Sequence, residues 1–132
     1  MTSKITYLGG LRTSCEHLQS GNTILTDAPT DNHGKGEAFS PTDLVATSLG
    51  SCMISIMAIK SKDLDVDLVD STVEITKVMQ AEPRKIAKII VSLNLPETTK
   101  KNRIILEHAA MTCPVFLSLH PDIEKDITFH WK

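Results

Sequence analysis

The chain has 132 residues, enough for one domain and too few for two ordinary ones, so we expect a single domain over residues 1–132. Its 14 basic and 16 acidic residues predict no attraction to nucleic acid or to an anionic membrane surface. The longest apolar runs are too short to span a bilayer, and the first residues lack the basic and then apolar segments typical of a secretory signal. We therefore expect a cytoplasmic protein whose three cysteines are thiols.

The N-terminal segment from Lys4 to Asp27 reads as short strands separated by turns at Gly9-Gly10 and at Ser20-Gly21-Asn22. This pattern predicts a small antiparallel meander. Residues 28–40 are rich in Pro, Gly, Asp and Asn, which predicts a long loop with a possible functional role. Its G-K-G-E string lacks the spacing of a phosphate-binding loop, so we expect no nucleotide and no cofactor.

A strong helix start follows the loop. Ser40 is placed to cap the helix, Pro41 suits its first position, and Asp43 completes a capping box. The residues after it are apolar at three- and four-residue steps around most of the circumference: Leu44, Val45, Leu49, Cys52, Met53, Ile56 and Met57. Such a helix is expected to be central, and its unmatched apolar surface predicts a homodimer.

Two strands are predicted after the long helix. Thr72–Met79 alternates apolar and polar residues, and 86–95 alternates with Ala87, Ile89, Val91, Leu93 and Leu95 on one face. The turn around Glu82-Pro83 suggests that the two strands form an antiparallel pair.

The C-terminal third predicts two helices and a strand. Thr98 or Thr99 can cap the first helix, and Cys113 can cap a short second helix that has Pro114 at its first position. Ile127, Phe129 and Trp131 alternate with polar residues in a final strand. The element order indicates an α+β domain with antiparallel sheets around a long helix that carries a cysteine.

Cys52 and Cys113 are the strongest candidates for chemistry. Small neighbours leave space beside the Cys52 sulfur, although a buried cysteine also packs as an ordinary small hydrophobe. A thiol at a helix N-terminus, as predicted for Cys113, faces backbone N–H groups that stabilise the thiolate, although it could equally serve only as a cap. Together they suggest a cycle in which one thiol becomes a sulfenic acid and the other condenses with it.

Other residues are weaker candidates for a functional site. Arg12, in the turn after Gly9-Gly10, could stabilise a thiolate or bind a peroxide oxygen, or could simply be solvated. Cys15 and His17 would share one strand face and could form half of a zinc site. Without a C-x-x-C pair, we interpret them as ordinary polar residues and expect no metal.

The helix motif Ser40-Pro41-Thr42-Asp43-Leu44, the later Leu49-Gly50-Ser51-Cys52 and the second motif Cys113-Pro114 together resemble the OsmC/Ohr family. The N-terminal Gly-Gly-Leu-Arg turn and the closing strand extend the resemblance over nearly the whole chain. The resemblance implies an intertwined α+β homodimer that reduces organic hydroperoxides. It also implies a dithiol reductant, such as a lipoyl-bearing protein.

By the same resemblance Cys52 would be the peroxidatic thiol, Cys113 the resolving thiol, and Arg12 the arginine that steadies the thiolate. The better-understood branches carry a glutamate directly after the helix-start proline, where it orients this arginine. The present sequence has Thr42 there, and neither Asp43 nor Glu37 occupies the matching position. The pattern is therefore closer to the less characterised OsmC-like branch.

Alternatives remain open at this point. Met53, Met57 and Phe116 could line an apolar substrate site or belong to the core. The missing glutamate also fits a non-catalytic dimeric module that binds a small hydrophobic ligand. A third interpretation makes Cys52 the nucleophile of a hydrolase or transferase, for which the sequence indicates no particular base.

Overall fold

The computed structural model describes all 132 residues, and the chain divides into two compact units, Met1–Val45 and Ala46–Lys132. The first unit contains a three-stranded sheet, a long loop and the first residues of the long helix. The second contains the rest of that helix, a second three-stranded sheet and two further helices.

The N-terminal sheet is the predicted antiparallel meander. It consists of β1 (Ser3–Gly9), β2 (Arg12–His17) and β3 (Thr23–Asp27), which pair in chain order. The β1–β2 turn passes through Gly9, Gly10 and Leu11, all with positive φ, a conformation that glycine adopts at little cost. The register places Arg12 directly opposite Asp27 at one end of the sheet.

The loop at 28–40 is tied to this sheet by backbone hydrogen bonds. The Asp27 amide donates to the Phe39 carbonyl, and the Ala28 amide donates to the Leu11 carbonyl. Gly34 passes so close to Ala28 that a Cβ at position 34 would lie 1.7 Å from the Ala28 carbonyl oxygen. Only glycine fits there, so the path of the loop depends on that residue.

Helix α1 (Pro41–Ser61) begins at the predicted capping box. The Asp43 amide donates to the Ser40 hydroxyl oxygen at 3.1 Å, and the Ser40 amide donates to the Asp43 carboxylate at 3.0 Å. By length and composition alone, the helix is apolar enough to cross a membrane. Its buried apolar residues are Ala46, Leu49, Met53 and Met57, which pack in the core of the second unit.

The second sheet contains β4 (Thr72–Gln80), β5 (Lys85–Leu95) and β6 (Glu124–Trp131), in that order. The β4–β5 pair is antiparallel, as predicted. The expectation of antiparallel sheets throughout is wrong for β6, which lies parallel to β5. Helices α2 (Lys100–Ala110) and α3 (Pro114–Ser118) form the crossover connection that a parallel pair requires.

The core of the second unit lies between α1, α2 and the inner face of this sheet. Its fully buried large apolar residues are Leu49, Met53, Met57, Ile89, Val91, Leu93, Leu95 and Leu106. The predicted inward face of β5 is confirmed from Ile89 onward. Before Ile89 the pattern changes, because the pairing register shifts between Val78 and Met79 of β4. Ile86, rather than Ala87, is therefore buried at the start of β5.

Candidate functional site

Cys52 lies in the middle of α1 and is half-buried. Two residues earlier, Gly50 allows α1 to approach the sheet closely, because a Cβ there would lie 2.7 Å from the Ile75 side chain and 2.9 Å from that of Val73. The side chain of Ser55 is turned back on the helix and donates to the Ser51 carbonyl at 2.8 Å. Small neighbours and close helix packing therefore hold a partly accessible thiol on a rigid element.

Cys113 caps α3, as predicted, and its side chain is fully buried. The Phe116 amide donates to its Sγ at 3.3 Å. The pKa of Cys113 is nevertheless raised, because burial disfavours the thiolate more than this N–H group stabilises it. At neutral pH, Cys113 is therefore a poorer nucleophile than its place at a helix N-terminus suggests.

The structure brings these two cysteines together. Hydrogen bonding to Cys52 and negative charge on Cys52 are among the causes that raise the pKa of Cys113. Neither sulfur is in a disulfide. Two thiols close enough for one to act on the pKa of the other, one half-buried and one buried, suit disulfide formation after oxidation.

This raised pKa predicts the pH dependence of disulfide formation. In the two-cysteine cycle expected from the sequence, the attacking species is the Cys113 thiolate, so the rate of its reaction with oxidised Cys52 should rise about tenfold per pH unit between pH 7 and 8. The rate should keep rising with pH above the ordinary pKa of a thiol, because the pKa of Cys113 is raised. Rapid acid quenching followed by intact-mass analysis measures this step, with Cys15→Ser as the control. A rate independent of pH across this interval would contradict the assignment of Cys113 as the attacking thiol.

Arg12 lies at the start of β2, in the first unit, and has a carboxylate partner that the sequence reasoning missed. Its Nε and Nη2 donate to the two carboxylate oxygens of Asp27 at 2.7 and 2.8 Å. Nη2 also donates to Glu37 at 3.2 Å. The sequence did carry a signal for this pair. The turn at Ser20-Gly21-Asn22 joins β2 to β3 and places positions 12 and 27 opposite each other.

The charges of this cluster stabilise one another. Hydrogen bonding to Arg12 lowers the pKa of the buried Asp27, even though burial alone would raise it, and Lys35 lowers it further. The hydrogen bonds to Asp27 and Glu37 in turn raise the pKa of the guanidinium. Arg12 is therefore a fixed cation, not the solvated side chain of the alternative interpretation.

The structure also shows where the other candidate residues lie. Met53 and Met57 are fully buried, so they belong to the core and do not line a substrate site. Phe116 is half-buried, with the Lys125 ammonium 5.5 Å from its ring centroid. Cys15 lies on β2 beside His17, whose Nδ1 bonds to Ser20. The chain contains no group of three or more residues suited to hold a metal.

An apolar cleft of about 380 Å³ lies farther along α1, between the helix and the segment that follows it. Its apolar lining comes from Ile54, Ala58, Val66, Leu68 and Val69, and neither Cys52 nor Cys113 contributes to it.

Comparison with known proteins identifies the family. Residues 34–128 match the family model described as OsmC-like protein. The chain belongs to the OsmC-like family. It is similar to a Psychrobacter arcticus protein described with osmotic stress and detoxification responses, at 52% identity over 98% of this chain and 96% of that one, with a TM-score of 0.95. No curated protein matches the chain.

More distant OsmC-like structures share the fold. An OsmC-like protein from Mycoplasma pneumoniae is 10% identical, covers 98% of this chain and 94% of its own, and superposes with a TM-score of 0.81. An organic hydroperoxide resistance protein from Legionella pneumophila is 19% identical, with 98% and 97% covered and a TM-score of 0.72. The mixed α+β architecture predicted from the sequence is thus the OsmC-like fold.

Proposed function

We propose that this OsmC-like protein is a thiol-dependent peroxidase that reduces organic hydroperoxides and serves in defence against oxidative stress. The interaction by which Cys52 raises the pKa of the buried Cys113 carries this proposal. Family membership and the name of the Legionella pneumophila structure, an organic hydroperoxide resistance protein, support the same redox role. Cys52 is the peroxidatic thiol because it is the more accessible of the two.

In the first step, the Cys52 thiolate attacks one peroxide oxygen and the O–O bond breaks. The leaving alkoxide takes a proton and departs as an alcohol, and Cys52 becomes a sulfenic acid. In the second step, the Cys113 thiolate attacks the oxidised sulfur, an S–S bond forms, and hydroxide leaves and is protonated to water. An external dithiol, such as a lipoyl-bearing protein, then reduces the disulfide by thiol exchange and is itself oxidised.

The protein is proposed to act as a homodimer. Large apolar side chains are exposed on the first unit, among them Ile5, Tyr7, Ile24, Leu25 and Phe39. Exposed apolar area of this kind is typical of an interface. In light scattering, the species in solution should have twice the 14.5 kDa mass of the chain.

The proposal is tested by counting thiols in the fully reduced wild-type protein before and after one equivalent of cumene hydroperoxide. We expect two of the three thiols to disappear rapidly and peptide mapping to show a Cys52–Cys113 disulfide. Hydrogen peroxide at the same concentration is the comparison oxidant and should react more slowly. Added dihydrolipoamide should restore both thiols.

Persistence of all three thiols at the rate of free cysteine would contradict the peroxidase proposal. The cleft beside Ile54 and Ala58 would then favour the second candidate, a module that binds a small hydrophobic ligand. In that case, organic extraction and mass spectrometry of the purified protein should yield a stoichiometric apolar molecule.

A further inference from the structure

Cys113 supplies the acceptors for two amides at the start of α3. Its Sγ accepts a hydrogen bond from the Phe116 amide at 3.3 Å, and its carbonyl oxygen accepts one from the Leu117 amide at 3.1 Å. Most helix caps are side-chain oxygens, whereas sulfur is a weak acceptor. The N-terminus of α3 therefore depends on an atom that is also a candidate for redox chemistry.

Helix α3 is a short surface helix with limited packing. It has only five residues, and a helix of this length is not stable without caps and tertiary contacts. Pro114, Leu117 and Ser118 are exposed, whereas Val115 and Phe116 are half-buried and pack against the core. Loss of the cap should therefore affect α3 more than it would affect a long central helix.

A disulfide between Cys113 and Cys52 of α1 would change this cap. A disulfide holds its two sulfurs about 2.05 Å apart, so the Cys113 Sγ would move toward Cys52, whereas the Phe116 amide belongs to α3. The sulfur would also lose the ability to become a thiolate, the form in which it accepts a hydrogen bond most strongly. Both changes weaken the bond that Phe116 donates.

We propose that formation of the Cys52–Cys113 disulfide releases the N-terminus of α3, so that the redox state of the cysteine pair is displayed at the protein surface. The inference rests on the proposed function, in which an organic hydroperoxide takes two electrons from the two thiols and becomes an alcohol and water. The disulfide keeps Cys113 against α1, and the segment that loosens is 114–118. Beyond it, the Lys125 Nζ donates to the His120 carbonyl at 3.1 Å and retains the next turn.

Hydrogen exchange of the α3 amides, measured by mass spectrometry of peptides that cover residues 114–119, tests this release. Reduced wild-type protein is compared with protein treated with diamide, which takes two electrons and two protons from a pair of thiols without any hydroperoxide. Peptide mapping identifies the Cys52–Cys113 disulfide. The α3 amides should exchange about fivefold faster in the disulfide form, the effect expected when one helix cap is lost, and the β6 amides should be unchanged.

Variants of the two cysteines separate the cap from the disulfide. Cys113→Ala removes the side-chain acceptor, so the reduced variant should exchange at α3 as fast as the oxidised wild type. Cys113→Ser keeps an acceptor and should exchange slowly both before and after diamide. Cys52→Ser keeps the Cys113 cap but cannot form the disulfide, so diamide should leave its α3 exchange unchanged. Circular dichroism checks the fold of each variant.

Slow α3 exchange in the disulfide form, or in reduced Cys113→Ala protein, would overturn the proposal. Absence of a Cys52–Cys113 disulfide after diamide treatment would overturn it as well. Because diamide replaces the hydroperoxide, this test is separate from that of the proposed function. Release of α3 in a protein that does not consume cumene hydroperoxide would support the switch and overturn the peroxidase assignment, and consumption with α3 still protected would do the reverse.

Discussion

Cys52→Ser protein is expected to lose hydroperoxide reduction by about a thousandfold or more, because a serine hydroxyl cannot replace an ionised sulfur as the nucleophile. The fold should survive, since Cys52 is only half-buried and serine is smaller than cysteine. The loss is measured as the rate at which alcohol forms from cumene hydroperoxide, which is detected by chromatography. The reaction contains dithiol in excess.

Cys113→Ser and Cys15→Ser are the matched controls. Without Cys113, the first oxidation should proceed and stop at the sulfenic acid, which dimedone labels on Cys52. Cys15 lies on β2 and has no part in the proposed cycle, so its replacement should leave turnover unchanged. Wild-type turnover in Cys52→Ser protein would contradict the two-cysteine mechanism, as would rapid disulfide formation without Cys113.

Met53→Ala should lower the free energy of unfolding by about 2–5 kcal/mol, the range for truncating a large buried apolar side chain. Met53 is 0% exposed and belongs to the core cluster, so its removal leaves a cavity that the surrounding residues fill only in part. Urea unfolding followed by circular dichroism measures the change at constant protein concentration, because dimerisation would make the apparent stability depend on concentration.

Ile59→Ala is the control on the same helix. Ile59 is 65% exposed in the chain, and its truncation should change the free energy of unfolding much less. If Met53 lined the substrate site instead of the core, Met53→Ala would change the KM for cumene hydroperoxide and leave stability near that of the wild type. That result would reverse the assignment of Met53 to the core.

Local sequence signals correctly predicted where the helices begin. Ser40 with Asp43, Thr99 and Cys113 all cap helices, because each cap depends only on residues within three positions of it. The alternation along β5 likewise needs no distant partner. Ile86 departs from it because a bulge depends on how β5 pairs with β4, which the alternation of one strand does not contain.

The features that the sequence could not determine all join distant segments. Three such features are the parallel pairing of β6, the interaction of Cys52 with Cys113, and the Arg12–Asp27 pair. Met53 and Met57 were ambiguous for a different reason. On a helix that is apolar around most of its circumference, periodicity does not distinguish a core face from a substrate-facing one.

The unequal exposure of the two thiols also determines how the oxidised protein would be regenerated. Cys113 is sealed from solvent, whereas Cys52 is partly open, so an incoming thiolate reaches the Cys52 sulfur first. The mixed disulfide with the reductant would therefore form on Cys52, and Cys113 would be the leaving group. Because a thiol of raised pKa leaves slowly, release of Cys113 would slow the return to the reduced state.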